Sequence, residues 1–467
     1  MNARPISDVS DADMSSFQRA LGELTHWACS VRFDELPAAV RERAAMVLVD
    51  DLSAMIAGFS DPECAALTDL MFRTGGAGEA SVFNGRNGRS DRYTAASINA
   101  AAGTWCELDE GYRRTLCHAG IYVVPALLAE AQARDATMSD VLRALATAYE
   151  VVTRIARGFP GTTRELHPHG CFSAVGAAAA VALLRNEPPA MLAQVLNTAS
   201  LMINPTTLAQ AFDGALARNV FTAIGTGNGM RAADWAPIGI SAVDSAAVGA
   251  YAVGLGAGID AAALVNDLGE DWAILSNFQR RFACCQFGHS TIESTLDLLA
   301  QMPAQHTIDD IERIVVEIHP MGYKLDNIVP VTTLGARFSL PHITAACTRL
   351  GHANVSAFFP EQITDPAIAA LRERVELVPF TPVPMPPKDR PARVTWHFSD
   401  GSELMAQCES AHGEPGRPFT PQDVEEKVKN IASNAYPRLI DVAAPLMACE
   451  PDVLAQTWPS ILAQFDS

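Results

Sequence analysis

The chain changes texture twice along its length. From about residue 15 to 275 the apolar positions recur with a helical period. Leu142, Leu145, Tyr149, Val152 and Ala156 fall at three- and four-residue spacing, while Arg143, Glu150, Arg154 and Arg157 fall on another face. That spacing predicts an amphipathic helix with one buried stripe, capped by Ser139 or Asp140 and stopped at Gly158. The run "SAVGAAAAVALLRNEPP" is apolar nearly all round and predicts a helix buried on most sides, ended by Pro188-Pro189. Near residue 280 the period shortens. Ile314, Val316 and Ile318 alternate as in a strand, and Val394, Trp396 and Phe398 lead into Ser399-Asp400-Gly401 as the turn of a hairpin. "VPFTPVPMPPKDRPA" reads as an extended proline-rich connection, and a capped helix returns with "TPQDVEEKVKNIAS". The expected fold is mainly α: a large all-helical domain (1–277 and 412–467) interrupted by a smaller α+β domain (278–411).

Composition adjusts this picture at a few points. A chain of 467 residues exceeds the size at which one core stops growing, which agrees with two domains. The formal charge of −19 excludes a surface built for nucleic acid or anionic membrane. It also sets a tension, because an anionic substrate needs a local positive pocket. The 10 cysteines form no CxxC and predict reduced thiols rather than disulfides. "MNARPISDVSDADMSS" lacks the apolar core of a signal peptide, and no apolar run approaches the ~18 residues of a membrane span. The expected location is the cytoplasm.

Several motifs can be set aside. "GTGNG" at Gly225 and "GLGAG" at Gly254 follow no strand and fit neither common nucleotide-loop pattern, so helix packing and turns are the better reading. His167, His169, the Cys284-Cys285 pair and His289 match no strong zinc spacing. "GHS" at Ser290 is not a nucleophile elbow. Acid–base chemistry remains. "ELDEGYRRTLCHAG" packs three carboxylates, two arginines and His118 between apolar segments, and His167 stands before the Ala-rich helix. Arg113, Arg114, Arg218, Arg280 and Arg281 lie near apolar sequence and could clamp carboxylates; a surface ion pair is the commoner fate of any one of them. Chemistry alone points to an enzyme of small anions.

The order of motifs carries more. "WCELDEG…HAG…VVPALLAEA", "LHPHGCFSAVGAAAAVALL", "GALARNVFTAIGTGNGMRAADWAPIGI", "RRFACCQFGHSTIESTLDL", "IVVEIHPMGY" and "GARFSLPHITAA" resemble, in this sequence, the MmgE/PrpD-like family of 2-methylcitrate dehydratases, cis-aconitate decarboxylases and iminodisuccinate epimerases. The resemblance implies a helical domain built from both chain ends, an inserted α+β lid, a homodimer, and a cleft site needing no metal or organic cofactor. It implies His118 and His167 as catalytic histidines and Tyr323 as a lid tyrosine. Glu107 or Asp109 would orient a histidine or a substrate hydroxyl. Arg218 and Arg280, with Arg281, would bind a di- or tricarboxylate and stabilise charge after α-proton removal. Glu107 stands where many members have aspartate, and Gly111 where a threonine occurs. Arg218 stands where the decarboxylase has lysine, and Arg280 and Cys285 where it has lysine and histidine. Arginine cannot exchange a proton as lysine can, which counts against simple decarboxylase identity. The expected activity is a dehydratase-like hydro-lyase, with epimerisation or decarboxylation as alternatives and a metabolite sensor or scaffold as the non-enzymatic one.

Overall fold

The computed structural model describes residues 9–386, 388 and 390–465; the start of the N-terminal stretch read above for a signal peptide, residues 1–8, lies outside them. The fold is mainly α with a smaller α+β part, as the pattern predicts. Six helices matter for the site: α1 (Ala38–Gly58), α2 (Arg92–Trp105), α3 (Ala119–Arg134), α4 (Met138–Gly158), α5 (Pro168–Leu184) and α6 (Phe221–Trp235). Every residue of α5 is buried. It packs against α3, α4 and α6, so the all-round apolar run behaves as expected of a central helix.

The glycines of "GTGNG" serve this packing. A Cβ on Gly225 would lie 1.8 Å from Ser173 Oγ, and one on Gly229 would lie 2.2 Å from the Ala174 carbonyl oxygen. They are contact points between α5 and α6 rather than a phosphate loop.

Helix α4 departs from its sequence reading in two respects. Its cap is Thr137, whose hydroxyl accepts from the Asp140 amide, so the helix begins before Ser139. Its polar face is also buried. Glu150 and Arg154 pair at 2.6 Å, and Arg154 Nη1 donates to the Asn266 carbonyl at 2.7 Å. Amphipathic spacing shows which face is apolar; it does not show whether other elements cover the polar face.

The smaller part holds a four-stranded sheet in the order β4–β3–β5–β6, built from β3 (Ile311–Ile318), β4 (Val375–Pro379), β5 (Ala392–Phe398) and β6 (Glu403–Cys408). The β3–β4 pair is parallel, and β3–β5 and β5–β6 are antiparallel. Val316 faces Val394 and Ile314 faces Trp396, so the predicted alternation supplies the buried face. Helices α7 (His289–Gln301) and α8 (Leu340–Leu350) pack with this sheet. Helix α9 (Pro421–Ala432) returns to pack against α1.

Two apolar clusters result. The larger joins the helices from Phe17 to Ile274 with Phe419 through Phe465. The second joins Phe282 through Ala406 with Ala54 and Ala57 of α1 and Ala102 and Trp105 of α2. A short antiparallel pair, β1 (Gly111–Tyr112) with β2 (Asn277–Phe278), ties the loop after α2 to the start of the smaller part. All 10 cysteines are free. Among the described residues no helix is long and apolar enough to cross a membrane.

Candidate active site

Where α2 ends, Glu107 adopts a left-handed φ of 54° and turns the chain inward. Glu107, Asp109 and Glu110 follow one another into β1 and are all at most 1 % exposed. Three buried carboxylates in four residues need counter-charges and donors. Arg218 comes from the helical turn Leu216–Val220, and Arg280 follows β2. The β1–β2 pairing is what brings Arg280 to the acids.

Glu107 receives both arginines, from Arg218 Nη2 at 2.5 Å and Arg280 Nη1 at 2.9 Å. Arg280 Nη1 also reaches Asp109 Oδ1 at 3.2 Å. Two carboxylates and two guanidiniums therefore form a neutral cluster. The arginines are not equivalent within it. Arg218 also donates through Nε to His167 Nε2 at 3.1 Å and through Nη1 to Thr104 O at 3.0 Å and Asn219 Oδ1 at 3.3 Å. Nearly all its donors are committed to the protein. Arg280 Nε, by contrast, is buried without a partner.

The three histidines divide in the same way. His118 Nδ1 lies 2.8 Å from the Glu110 carbonyl and 2.8 Å from Asp109 Oδ2. Both neighbours only accept, so Nδ1 carries the proton and Nε2 presents a bare lone pair. The hydrogen bond goes to the carbonyl, and Asp109 acts on the ring through its charge. Burial pushes the Asp109 carboxyl up, but Arg280, His118 and Arg218 outweigh it and hold the group at about 2. His167 and His169 are both held neutral, by burial first and then by surrounding cationic groups. His167 Nε2 accepts from Arg218, a donor that cannot reverse. That fixes the tautomer against the longer 3.3 Å contact from the His169 amide to Nδ1. His169 takes Tyr122 Oη on Nδ1 at 2.9 Å. His169 Nε2 has no partner but is fully buried, so of the three only His118 has a carboxylate beside its ring to support an added proton.

Behind His118 lies a second polar layer that the sequence reading assigned no role. Glu110 accepts from the Gly120 amide at 2.7 Å, Tyr149 Oη at 2.7 Å and Asn277 Nδ2 at 3.2 Å. It thereby satisfies an orphan donor in the first turn of α3. Burial nevertheless raises its carboxyl to about 7. The Asp51 carboxyl on α1 is also pushed well above its usual range, by burial first and then by Glu110. Asp50 beside it is paired with Lys427 of α9 at 2.7 Å. Two acids inside the apolar run "MVLVDDLSAMIA" were the available signal.

The remaining expected residues make no hydrogen bond or ion pair with the cluster among the described residues. Tyr323 lies in the turn Pro320–Leu325, and its buried hydroxyl makes no hydrogen bond to the cluster. Arg281 is exposed and lines a separate cavity of about 910 Å³ with His412, Asp423 and Lys427. The chain bends from Arg281 on, and Arg280 is buried with the acids while Arg281 is exposed. Arg113 pairs with Glu414 and Arg114 with Asp271. Burial raises the Cys117 thiol well above its usual range, which leaves it a bystander. His289 bonds the Cys284 carbonyl at 3.4 Å. Among the described residues no three His, Cys, Asp or Glu side chains converge as metal ligands.

Phe278 closes the site on the His118 side, its ring centroid 6.3 Å from that of the imidazole. A Cβ on Gly111 would come 2.4 Å from Phe278 Cζ. The glycine where the family pattern has threonine is thus the space this ring occupies.

The MmgE/PrpD N-terminal domain matches residues 22–257, and the MmgE/PrpD C-terminal domain matches residues 282–443. The chain is 24% identical over 443 residues to the cis-aconitate decarboxylase-like protein oryM of Aspergillus oryzae, covering 88% of this chain and 90% of that protein. It is 21% identical over 452 residues to the cis-aconitate decarboxylase of Aspergillus terreus, covering 91% of each. With both domains matched in order over most of its length, the chain belongs to the MmgE/PrpD family.

Proposed function

We propose that this protein is a lyase of small di- or tricarboxylates that works by proton transfer at His118 Nε2, with 2-methylcitrate dehydratase-like loss of water as the leading reaction. The family and the names of the two relatives support the lyase class. One observation carries the assignment of the base. Of the three clustered histidines, only His118 has a carboxylate against its ring, Asp109 at 2.8 Å, ready to compensate the imidazolium; His169 Nε2 also lacks a partner but has no such counter-charge.

In this reading the substrate carboxylate binds Arg280, whose Nε has no protein partner. Removal of the α-proton spreads charge onto that carboxylate, where the guanidinium stabilises it. Arg218 is a positioning residue, holding Glu107 and the His167 ring rather than the substrate. The imidazolium of His118 then returns its proton to the departing hydroxide. Segment 278–411 is the proposed lid, and exclusion of water beneath it strengthens each of these interactions. The resemblance adds a cytoplasmic homodimer to the proposal; sedimentation at the mass of a single chain would remove that part.

Decarboxylation is the second reading, favoured by the relatives' names. His118 would first take up a proton from solvent at Nε2; carbon dioxide would then leave, its bonding electrons staying on the carbon, and the imidazolium would protonate that carbon. Epimerisation is supported least. It needs a second donor on the opposite face, and His167 Nε2 is occupied by Arg218. Incubating the protein with 2-methylcitrate, citrate, cis-aconitate and iminodisuccinate in deuterium oxide, followed by NMR, separates the readings. Loss of water supports the first, loss of carbon dioxide the second, and deuterium at an unchanged skeleton epimerisation. No change in any substrate overturns the lyase assignment.

A further inference from the structure

The ion-pair cluster leaves a charge problem unsolved. Glu107 and Asp109 neutralise Arg218 and Arg280, so the cluster offers no net positive charge to a substrate carrying two or three negative charges. A further cation is needed, close by and not already neutralised by an acid.

Arg390 meets that description. It stands at the end of the proline-rich connection before β5, and its guanidinium carbon lies 4.7 Å from the centroid of Phe287 and 5.9 Å from that of Phe278. Arg280 lies 5.7 Å from the same Phe278 ring, and His118 has its ring 6.3 Å away. Phe278 is thus shared by the base, the substrate-facing arginine and Arg390. Arg390 Nε is buried without a hydrogen-bond partner, and the side chain makes no ion pair among the described residues. Glu414, whose charge acts on Arg390, is already engaged by Arg113 and by Gln286 Nε2, the latter at 2.7 Å. Burial and then Arg113 lower the Arg390 guanidinium to about 10, against the opposing charge of Glu414. Stacking on two rings holds the planar group rigid while leaving its edge donors free.

We propose that Arg390 binds a second carboxylate of the substrate, distal to the one held by Arg280, and so selects polycarboxylates over monocarboxylates. This inference rests on the polycarboxylate reading above and names the residue that enforces it. Arg390 is a binding residue and takes no part in proton transfer.

The test is calorimetric titration of the intact protein with tricarballylate, a tricarboxylate that carries no hydroxyl to lose, alongside turnover on whichever polycarboxylate reacts. Arg390→Gln should weaken tricarballylate binding by about 10- to 100-fold, the range for losing a charge-assisted hydrogen bond. It should raise KM similarly and move kcat little. Arg390→Lys, which keeps the charge without the fork, should fall between Gln and the unaltered protein, and it replaces Gln should that variant fail to fold. A substrate analogue lacking the distal carboxylate should bind the unaltered protein and Arg390→Gln alike. Equal tricarballylate affinity in Arg390→Gln and the unaltered protein overturns the proposal, as does failure of the unaltered protein to bind tricarballylate at all. Binding that depends on Arg390 in a protein with no turnover would instead sink the lyase reading and leave the arginine's role standing.

Discussion

Replacing Glu107 by Gln should move stability and ligand affinity in opposite directions. Glu107 is 1 % exposed and compensates two guanidiniums, at 2.5 Å and 2.9 Å. Breaking a buried pair by removing one partner costs about 3–5 kcal/mol, because the other charge is left uncompensated. Gln retains one accepting oxygen, so the expected loss lies at the low end, ~3 kcal/mol. The same change takes the cluster from neutral to a net charge of +1. At an effective dielectric near 20, one unit charge at about 4 Å from a carboxylate is worth up to ~4 kcal/mol. Solvent and neighbouring groups reduce this, and a gain of about tenfold in tricarballylate affinity needs only ~1.4 kcal/mol of it. Urea titration and calorimetry on the same preparation read the two effects. A variant that is less stable and also binds more weakly would show that Glu107 serves the ligand directly. A variant of unchanged stability would show that the cluster is not held together by these pairs.

Other substitutions test separate links. Glu110→Gln removes a carboxyl raised from 4.5 to about 7 in the folded protein. The folded state holds that proton more tightly, so its contribution is full below about pH 4.5 and is lost as pH rises through 7, a swing of ~3 kcal/mol. Urea midpoints of the two proteins should therefore change relative to each other across that window, and parallel curves would contradict the assignment. Asp109 has the opposite sign. Its depression from 3.8 to about 2 gives stability that is present above about pH 4 and lost as pH falls toward 2, ~2 kcal/mol that Asp109→Asn should forfeit at neutral pH. Arg218→Lys cannot reach His167, Thr104, Asn219 and Glu107 together, so kcat should fall with KM nearly unchanged, whereas Arg280→Lys should raise KM; equal behaviour would refute the division between positioning and binding. Gly111→Ala places a Cβ 2.4 Å from Phe278 Cζ and should cost about 1–3 kcal/mol by displacing the ring, with a change in KM that a substitution at the exposed Gly416 does not produce.

The sequence showed the periods well and the polar contacts poorly. Alternation at Ile314, Val316 and Ile318 and the all-apolar run around Ala177 depend on local spacing, and both became the elements expected of them. Glu107, His118, His167, Arg218 and Arg280 were found because their order matched a family, and the structure joins them by hydrogen bonds and ion pairs over separations as long as 173 residues. What spacing could not reveal is how each donor is used. Arg218 and Arg280 look alike in the sequence, yet one is saturated by protein acceptors and the other keeps Nε free. Arg280 and Arg281 are adjacent, yet Arg280 is buried against Glu107 and Asp109 while Arg281 is exposed and lines a cavity without it. Glu110 and Asp51 were overlooked because their importance comes from burial against each other, a property of packing between α1 and the loop after α2.

The central claim is that His118 Nε2 moves the substrate proton, and it is tested most directly by comparing the unaltered protein with His118→Gln on the one polycarboxylate that reacts, in deuterium oxide and followed by NMR. The account predicts chemistry and solvent-derived deuterium in the unaltered protein. It predicts at least about a hundred-fold loss of both in the variant, with tricarballylate affinity and urea midpoint nearly unchanged. Turnover and deuterium incorporation that survive in His118→Gln at the original rate would contradict it.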